Sequence, residues 1–176
     1  MRSTARKRRS FMTLHRWIFV IVAALLVIGT AFGIYYREIQ TATWAATNEA
    51  KTKAIEAAQL QSVETVYTHA WNKKSWIVKG IDQDNQNVFV WIADDMEPKI
   101  IKEADSISRQ ALKDSFHSSK PDATIKRIQP GLLDDEPVWE IYYSTGERSK
   151  HYFYDFYAFD SGSFINSYRL PAKTEP

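Results

Sequence analysis

The first long apolar segment of the chain covers residues 17–36, and its sequence WIFVIVAALLVIGTAFGIYY contains no charged residue. A helix of this length, rising about 1.5 Å per residue, crosses the roughly 30 Å hydrocarbon core of a bilayer. Trp17, Tyr35 and Tyr36 lie at its two ends, where amphipathic rings favour the membrane interface. The segment is also longer than the apolar core of about 7–15 residues in a signal peptide. The pattern therefore predicts an uncleaved transmembrane helix.

The hydrophobic pattern changes twice after this segment. Residues 37 to about 61 are rich in Ala, Glu, Lys and Gln. They carry a narrow apolar stripe, formed by Ala50, Ala54, Ala57, Ile55 and Ala58. This predicts a helix whose small residues pack closely on a sheet. From there the apolar positions alternate or run together in short segments separated by polar turns. These segments predict a three-stranded antiparallel meander over residues 63–71, 75–82 and 87–93.

The same order of elements then repeats. Ile100, Ala104, Ile107 and Ala111 recur at helical spacing, which predicts a second helix over residues 98–117. Strands are predicted next at residues 124–130, 138–144, 151–160 and 164–170. The fold class is therefore α+β, with two units that each lay a helix across an antiparallel sheet. We divide the chain into a tail (1–16), a transmembrane helix (17–36), a first repeat (37–97) and a second repeat (98–176).

The distribution of charge predicts the orientation in the membrane. Six of the 23 Lys and Arg residues precede Trp17, whereas all 21 Asp and Glu residues follow it. Because basic residues stay in the cytoplasm, we expect a cytoplasmic N-terminus and an extracellular C-terminal domain. That outer domain has a negative net charge, so no nucleic-acid partner is expected. The chain has no cysteine, which excludes disulfides and thiolate catalysis.

No motif for catalysis or cofactor binding was found. No serine is followed by lysine at the third position, as a penicillin-binding type of nucleophile requires, and no phosphate-binding loop occurs. The polar segment 82–87 begins like a calcium loop but lacks its glycine and glutamate, so a hairpin turn is the better interpretation. Acidic clusters at 94–97 and 134–136 are interpreted as solvated loop charge rather than as paired glycosidase carboxylates. We predict no catalytic residue, no metal site, no cofactor and no enzymatic activity.

The strongest candidate for binding is the aromatic strand in residues 152–159. Its two faces both carry rings, although a half-exposed strand should be polar on one face. One interpretation is that the second face packs on the other repeat. The other interpretation is a surface patch that docks a protein or a glycan. The candidate contact residues are Tyr152, Tyr154, Phe156, Trp91 and Phe89.

The order of parts resembles the YpmB/TseB-like family of Gram-positive bacteria. The resemblance is carried by the basic tail with residues 17–36, by VFVWIAD at 88–94, by PVWEIYY at 137–143 and by YFYDFYAF at 152–159. It implies two cystatin-like or PepSY-like repeats outside the membrane. It further implies a non-catalytic regulator of cell-wall (peptidoglycan) elongation that binds a class B penicillin-binding protein or another membrane-anchored cell-wall protein. The family supplies no catalytic motif to carry over.

Two other functions stay open from the sequence. The PepSY-like repeats also suit a protease inhibitor, although no substrate-like loop is evident. A peptidoglycan-binding or peptidoglycan-hydrolysing protein is the third hypothesis, and it depends on the acidic clusters and aromatic strands alone. In the membrane segment, Gly29 and Gly33 have the spacing of a helix-dimerisation motif.

Overall fold

The computed structural model describes residues 14–146 and 149–171. The predicted basic tail lies almost entirely outside these residues, as does Glu147 of the predicted turn at 145–147. The chain divides into two compact units, residues 1–45 and residues 46–176. The first helix, α1 (Leu14–Ala58), contributes residues to both units.

In the first unit, α1 contains one stretch long and apolar enough to cross a membrane, Trp17–Arg37. All side chains of this stretch are exposed, as expected for a helix that meets lipid. A Cβ added at Gly29 or at Gly33 would meet no other atom within 4 Å. The stretch is therefore a candidate membrane anchor, in agreement with the predicted segment 17–36.

The second unit contains the end of α1, a second helix and eight strands. Its strands form two antiparallel sheets of four strands each, in the orders β1-β2-β3-β4 and β5-β6-β7-β8. The strands of sheet A are β1 (Ser62–Ala70), β2 (Lys74–Ile81), β3 (Asn87–Ala93) and β4 (Lys99–Lys102). Helix α2 (Arg109–Ser119) follows, and then sheet B with β5 (Thr124–Leu133), β6 (Glu136–Thr145), β7 (His151–Ala158) and β8 (Phe164–Arg169). The predicted α+β class with two helix-on-sheet repeats is confirmed.

The end of α1 packs on one face of sheet A through small residues. Ala50 and Ala54 are buried against a cluster of sheet residues, as the alanine stripe predicts. The helix ends at Ala58, where Gln59 has a φ of +50° and Leu60 N donates to Ile55 O at 3.1 Å. The sheet residues of this cluster are Trp76, Val78, Val88, Val90 and Ile92.

The opposite face of sheet A packs against the second repeat. Ile77, Phe89 and Trp91 belong to the largest core cluster, together with Leu112 and Phe116 of α2 and with inner residues of sheet B. Sheet A is thus buried on both faces, which explains why β3 is apolar at successive positions. The largest core cluster is therefore shared between the two repeats, so each repeat stabilises the other.

The prediction of a second helix over residues 98–117 is wrong for the first half of that segment. Residues 99–102 form β4, which pairs with β3 (Trp91 opposite Lys99, Val88 opposite Lys102), and a short 3₁₀ helix follows at Glu103–Asp105. Helix α2 begins only after Ser108, whose Oγ accepts a hydrogen bond from Ala111 N at 3.1 Å. The predicted three-stranded meander is therefore four-stranded. Sheet A consequently extends past residue 97, where the sequence division ends the first repeat.

The two sheets share one local irregularity. The first strand of each sheet carries a β-bulge near its start. The bulge lies between Val63 and Thr65 in β1 and between Ile125 and Arg127 in β5. The extra residue is Glu64 in the first sheet and Lys126 in the second. A bulge re-aims the side chains beside it, so this position is structurally equivalent but opposite in charge between the repeats.

Candidate partner-binding surface

A row of long side chains crosses the outer face of sheet B. Arg127 of β5 lies opposite Tyr142 of β6, Tyr142 opposite Tyr154 of β7, and Tyr154 opposite Tyr168 of β8. Directly paired residues of an antiparallel sheet project from the same face. The register therefore places one residue from each strand in a continuous line across the sheet.

The rings of this row contact one another in stacked geometry. The ring centroids of Tyr142 and Tyr154 are 4.8 Å apart with an interplanar angle of 23°, and those of Tyr142 and Tyr152 are 5.8 Å apart at 21°. The Arg127 guanidinium carbon lies 6.0 Å from the centre of the Tyr142 ring. Such stacking holds each side chain in one conformation, so a partner would meet a pre-ordered surface.

The first repeat contributes one residue to this surface. Trp71, directly after β1, lies with its ring centroid 5.5 Å from that of Tyr154 and 5.0 Å from that of Tyr168. Beneath it, Phe156 is completely buried, and its centroid is 4.9 Å from that of Trp71. The aromatic surface is defined here as Trp71, Tyr142, Tyr152, Tyr154 and Tyr168.

The side chains of the aromatic surface are partly accessible to solvent. Tyr168 is 38% exposed, and the other four residues are half-buried. Desolvation raises the pKa of Tyr142, the neighbouring Tyr154 and Tyr152 raise it further, and Arg127 opposes them. The Tyr142 hydroxyl is therefore neutral at physiological pH and can donate as well as accept a hydrogen bond. Rings with a wet polar end are the groups enriched in protein interfaces.

The structure places the five predicted contact residues in two different environments, the aromatic surface and the core. Tyr152 and Tyr154 lie on the aromatic surface, and their role in binding stays a prediction. Phe156 is 0% exposed beneath it, Trp91 is 0% exposed and Phe89 is 3% exposed. The prediction of these three as surface contacts is wrong, because they fill the core.

Phe89 and Trp91 instead join the two repeats. Their ring centroids lie 5.1 Å and 4.6 Å from that of Phe159, which follows β7. This is the packing of the inner aromatic face on the other repeat that the sequence left open. The inner face of the aromatic strand therefore packs on the first repeat, whereas docking of a partner by its outer face stays a prediction.

Sequence reasoning missed Trp71, Tyr142, Tyr168 and Arg127. Tyr142 and Tyr168 had a usable signal, because pairing the strands across the turns near Gly146 and Gly162 brings both opposite Tyr154. Trp71 had no such signal, since only packing between the repeats brings it to sheet B.

A buried hydrogen-bonded pair of side chains lies close to the aromatic surface and links the two sheets. His69 of β1 and Glu140 of β6 are both almost fully buried, and His69 Nε2 lies 3.1 Å from Glu140 Oε2. The backbone N–H of Leu132 donates to His69 Nδ1 at 3.2 Å, which leaves the ring proton on Nε2 to be donated to Glu140. Arg127 and Gln129 donate to the other carboxylate oxygen at 2.9 Å and 3.2 Å. All polar atoms of the pair are therefore engaged in structural contacts.

The opposite face of β7 holds a second buried carboxylate. Asp155 is 0% exposed and accepts hydrogen bonds from Lys120 Nζ, from Ser167 Oγ at 2.6 Å, and from the hydroxyls of Tyr143 and Tyr157 at 3.2 Å and 3.4 Å. Burial lowers the pKa of Lys120, but its hydrogen bonds to Asp155 and Tyr143 outweigh this effect and raise it. The Asp155 carboxylate is therefore fully hydrogen-bonded inside the fold.

The acidic clusters are exposed, and one of them is used for packing. Asp135 and Glu136 pair with Lys73 and Lys99 of the first repeat, and Asp134 accepts a hydrogen bond from Asn72.

Within residues 14–146 and 149–171, no group of three His, Asp or Glu side chains could hold a metal ion. In the polar segment 82–87, Asp82 Oδ1 accepts from the N–H groups of Asp84 and Gln86, as in a hairpin turn.

Comparison with known proteins places these features in a family context. Residues 49–93 match the family model of the cell wall elongation regulator TseB-like domain. The fold is similar to that of the YpmB protein from Bacillus subtilis, with a TM-score of 0.64 and 19% sequence identity over 70% of this chain and 96% of that chain. No curated protein matches the sequence. The resemblance of the sequence to the YpmB/TseB-like family thus agrees with the match of residues 49–93 to the TseB-like domain model and with the likeness of the fold to that of YpmB.

Proposed function

We propose that this protein is a membrane-anchored, non-catalytic regulator of cell-wall elongation that binds another membrane-anchored cell-wall protein outside the cell. A class B penicillin-binding protein is the partner that the family resemblance favours. The observation that carries the proposal is the aromatic surface on sheet B, in a chain whose residues 49–93 match the model of a cell wall elongation regulator domain. No part of this proposal requires a catalytic residue.

The anchor supports binding within the plane of the membrane. The apolar stretch Trp17–Arg37 follows a segment whose charged residues are all basic, so we propose a cytoplasmic N-terminus. Two proteins held in one bilayer meet at a high effective concentration, and a weak contact then suffices for association.

The aromatic surface supports a protein partner. Trp and Tyr dominate the energetics of protein interfaces, and rigid rings lose little conformational entropy on binding. Arg127 adds a guanidinium beside Tyr142, and only one of its hydrogen bonds is committed to Glu140. A partner that presents carboxylates and apolar side chains would complement this combination.

Co-purification from detergent-solubilised membranes tests the proposal. We expect the intact protein to recover a class B penicillin-binding protein, and the Tyr152→Ala/Tyr154→Ala variant to recover at least about fivefold less, since interface aromatics contribute roughly 1 kcal/mol or more. Phe164→Ala is the matched control, because Phe164 is an exposed ring of the same sheet that contacts Tyr157 on the other face. Equal recovery by both variants would remove the aromatic surface from the proposal.

Two further measurements test the remaining parts. An alkaline phosphatase fused to the C-terminus should be active, because this enzyme matures only outside the cytoplasm. An inactive fusion that is expressed would contradict the proposed orientation.

Purified peptidoglycan should not retain the intact protein. Retention that the two tyrosine substitutions abolish would assign the aromatic surface to a glycan instead.

A further inference from the structure

A groove with basic walls runs between α2 and β5. Its volume is about 680 Å³, and its charged lining consists of Arg109, Lys113 and His117 from the helix and Lys126 and Arg127 from the strand. No acidic residue lines it. The outer domain as a whole has more acidic than basic residues, so this concentration of positive charge is local.

The two walls have separate structural causes. Arg109, Lys113 and His117 are four residues apart along α2 and therefore share one helix face over roughly 12 Å. On the strand, the bulge between Ile125 and Arg127 lets the successive residues Lys126 and Arg127 both reach the groove. The equivalent bulge residue in the first repeat is Glu64, which pairs with Lys79.

Most of the basic side chains that line the groove are not paired with an acidic residue of the described chain. Across the described part of the chain, no carboxylate lies within 4.0 Å of the side-chain nitrogens of Arg109, Lys113 or Lys126. The nearest acidic residue in α2, Asp114, accepts a hydrogen bond from Gln110 at 2.9 Å. Arg127 is the exception, since it pairs with Glu140 at 2.9 Å. Three exposed cations therefore face one groove.

We propose that this groove binds a soluble linear polyanion whose phosphate groups repeat along the polymer. A row of cations about one helical turn apart matches repeated anions better than it matches a single anionic headgroup. Arginine and lysine together suit phosphate, which accepts hydrogen bonds from both. Thr124 and Gln110 in the same lining supply neutral polar groups for the links between phosphates. This site goes beyond the proposed partner binding and does not depend on it.

Titration of the full chain in nonionic detergent with inorganic polyphosphate tests the proposal. We expect saturable binding that weakens with salt, and a loss of about tenfold or more in affinity for Lys113→Glu/Lys126→Glu, because two phosphate contacts become repulsive. The matched control is Lys51→Glu/Lys74→Glu, which makes the same change in net charge at exposed positions outside the groove. Thermal unfolding of each variant verifies that the fold is retained.

Three outcomes would overturn the proposal. One is the absence of polyphosphate binding at physiological salt. Another is an equal loss of affinity in the groove variant and the control variant, which would show that only net charge matters. The third is binding of short-chain phosphatidylglycerol, but not polyphosphate, at the same lysines, which would assign the groove to a lipid headgroup.

Discussion

Trp91 and Trp139 show how one hydrogen bond separates two otherwise similar core residues. Both are buried in the same cluster and both contact the Phe159 ring. Trp91 Nε1 donates to Gly131 O at 2.8 Å, whereas Trp139 Nε1 has no hydrogen-bond partner among the described residues. A buried donor without a partner costs free energy that a paired donor does not.

Replacing each tryptophan by phenylalanine should therefore have unequal effects. Both substitutions remove the same volume, but only Trp91→Phe removes a hydrogen bond and leaves the Gly131 carbonyl without that donor. We expect Trp91→Phe to lower the free energy of unfolding by about 1 kcal/mol more than Trp139→Phe. Denaturant unfolding of the two variants measures this difference, and an equal loss in both would contradict it.

Tyr157 and Lys120 make the free energy of unfolding depend on pH in the alkaline range. Burial and the adjacent Asp155 raise the pKa of Tyr157, and the pKa of Lys120 is raised as well. A group with a raised pKa in the folded state contributes its full stability below its unfolded pKa. That contribution is lost as the pH rises towards the folded pKa, because the unfolded chain releases the proton first.

We therefore expect the free energy of unfolding to fall as the pH rises above about 10. Tyr157→Phe should make this fall shallower, since phenylalanine has no proton to release and keeps the packed ring. At neutral pH the same variant loses only the 3.4 Å hydrogen bond to Asp155. Unfolding curves at neutral and alkaline pH provide the measurement, and identical slopes for the two proteins would disprove the role of Tyr157.

At the scale of elements, the end of α1 depends on the size of the residues in its stripe. Ala54 is 0% exposed against sheet A, whereas Ala57, one turn away, is exposed. Of the five predicted stripe residues, Ala50 and Ala54 form the buried contact and Ala58 is partly buried against it. The helix can approach the sheet closely only because these side chains are methyl groups.

Ala54→Leu should destabilise the fold by about 1–3 kcal/mol, because the larger side chain overpacks a closed contact. Ala57→Leu is the matched control, with the same change in helix propensity at an exposed position, and should leave stability within about 0.5 kcal/mol of the parent protein. Thermal unfolding followed by circular dichroism compares the two. Equal stability of the two variants would show that the contact between α1 and sheet A is loosely packed.

At the scale of the whole domain formed by residues 46–176, the two repeats are held together around Gly131. A Cβ at this position would lie 2.7 Å from His69 Nε2, the atom that donates to Glu140. The Gly131 carbonyl also accepts the hydrogen bond of Trp91. The backbone of β5, a side chain of β1 and a side chain of β3 therefore meet at one residue, and glycine is required by this close approach.

Gly131→Ala should lower the free energy of unfolding by about 1–3 kcal/mol, since His69 is buried and has no space into which to move. Gly33→Ala, where an added Cβ meets nothing within 4 Å, is the control and should leave the unfolding of residues 46–176 unchanged. Thermal unfolding of both variants tests this. If Gly131→Ala proved as stable as the control, His69 could be displaced without cost.

The sequence alone was sufficient for the features that depend on local periodicity. The uninterrupted apolar stretch from Trp17, the apolar stripe of α1 and the alternating or continuous apolar pattern in seven of the eight strands each follow from the spacing of side chains along one element. The short strand β4 was missed because Ile100, Ile101 and Ile107 also fit a helical period. Only pairing with β3 distinguishes the two conformations in so short a segment.

Tertiary structure alone decided which aromatic residues remain accessible. Phe89, Trp91 and Phe156 have the same local pattern as Tyr152 and Tyr154, but packing between the repeats buries the first three and leaves the tyrosines on the outer face. The basic groove has the same origin, since α2 and the bulge of β5 are brought together only by the fold. Burial is a property of distant segments in contact, and no local spacing encodes it.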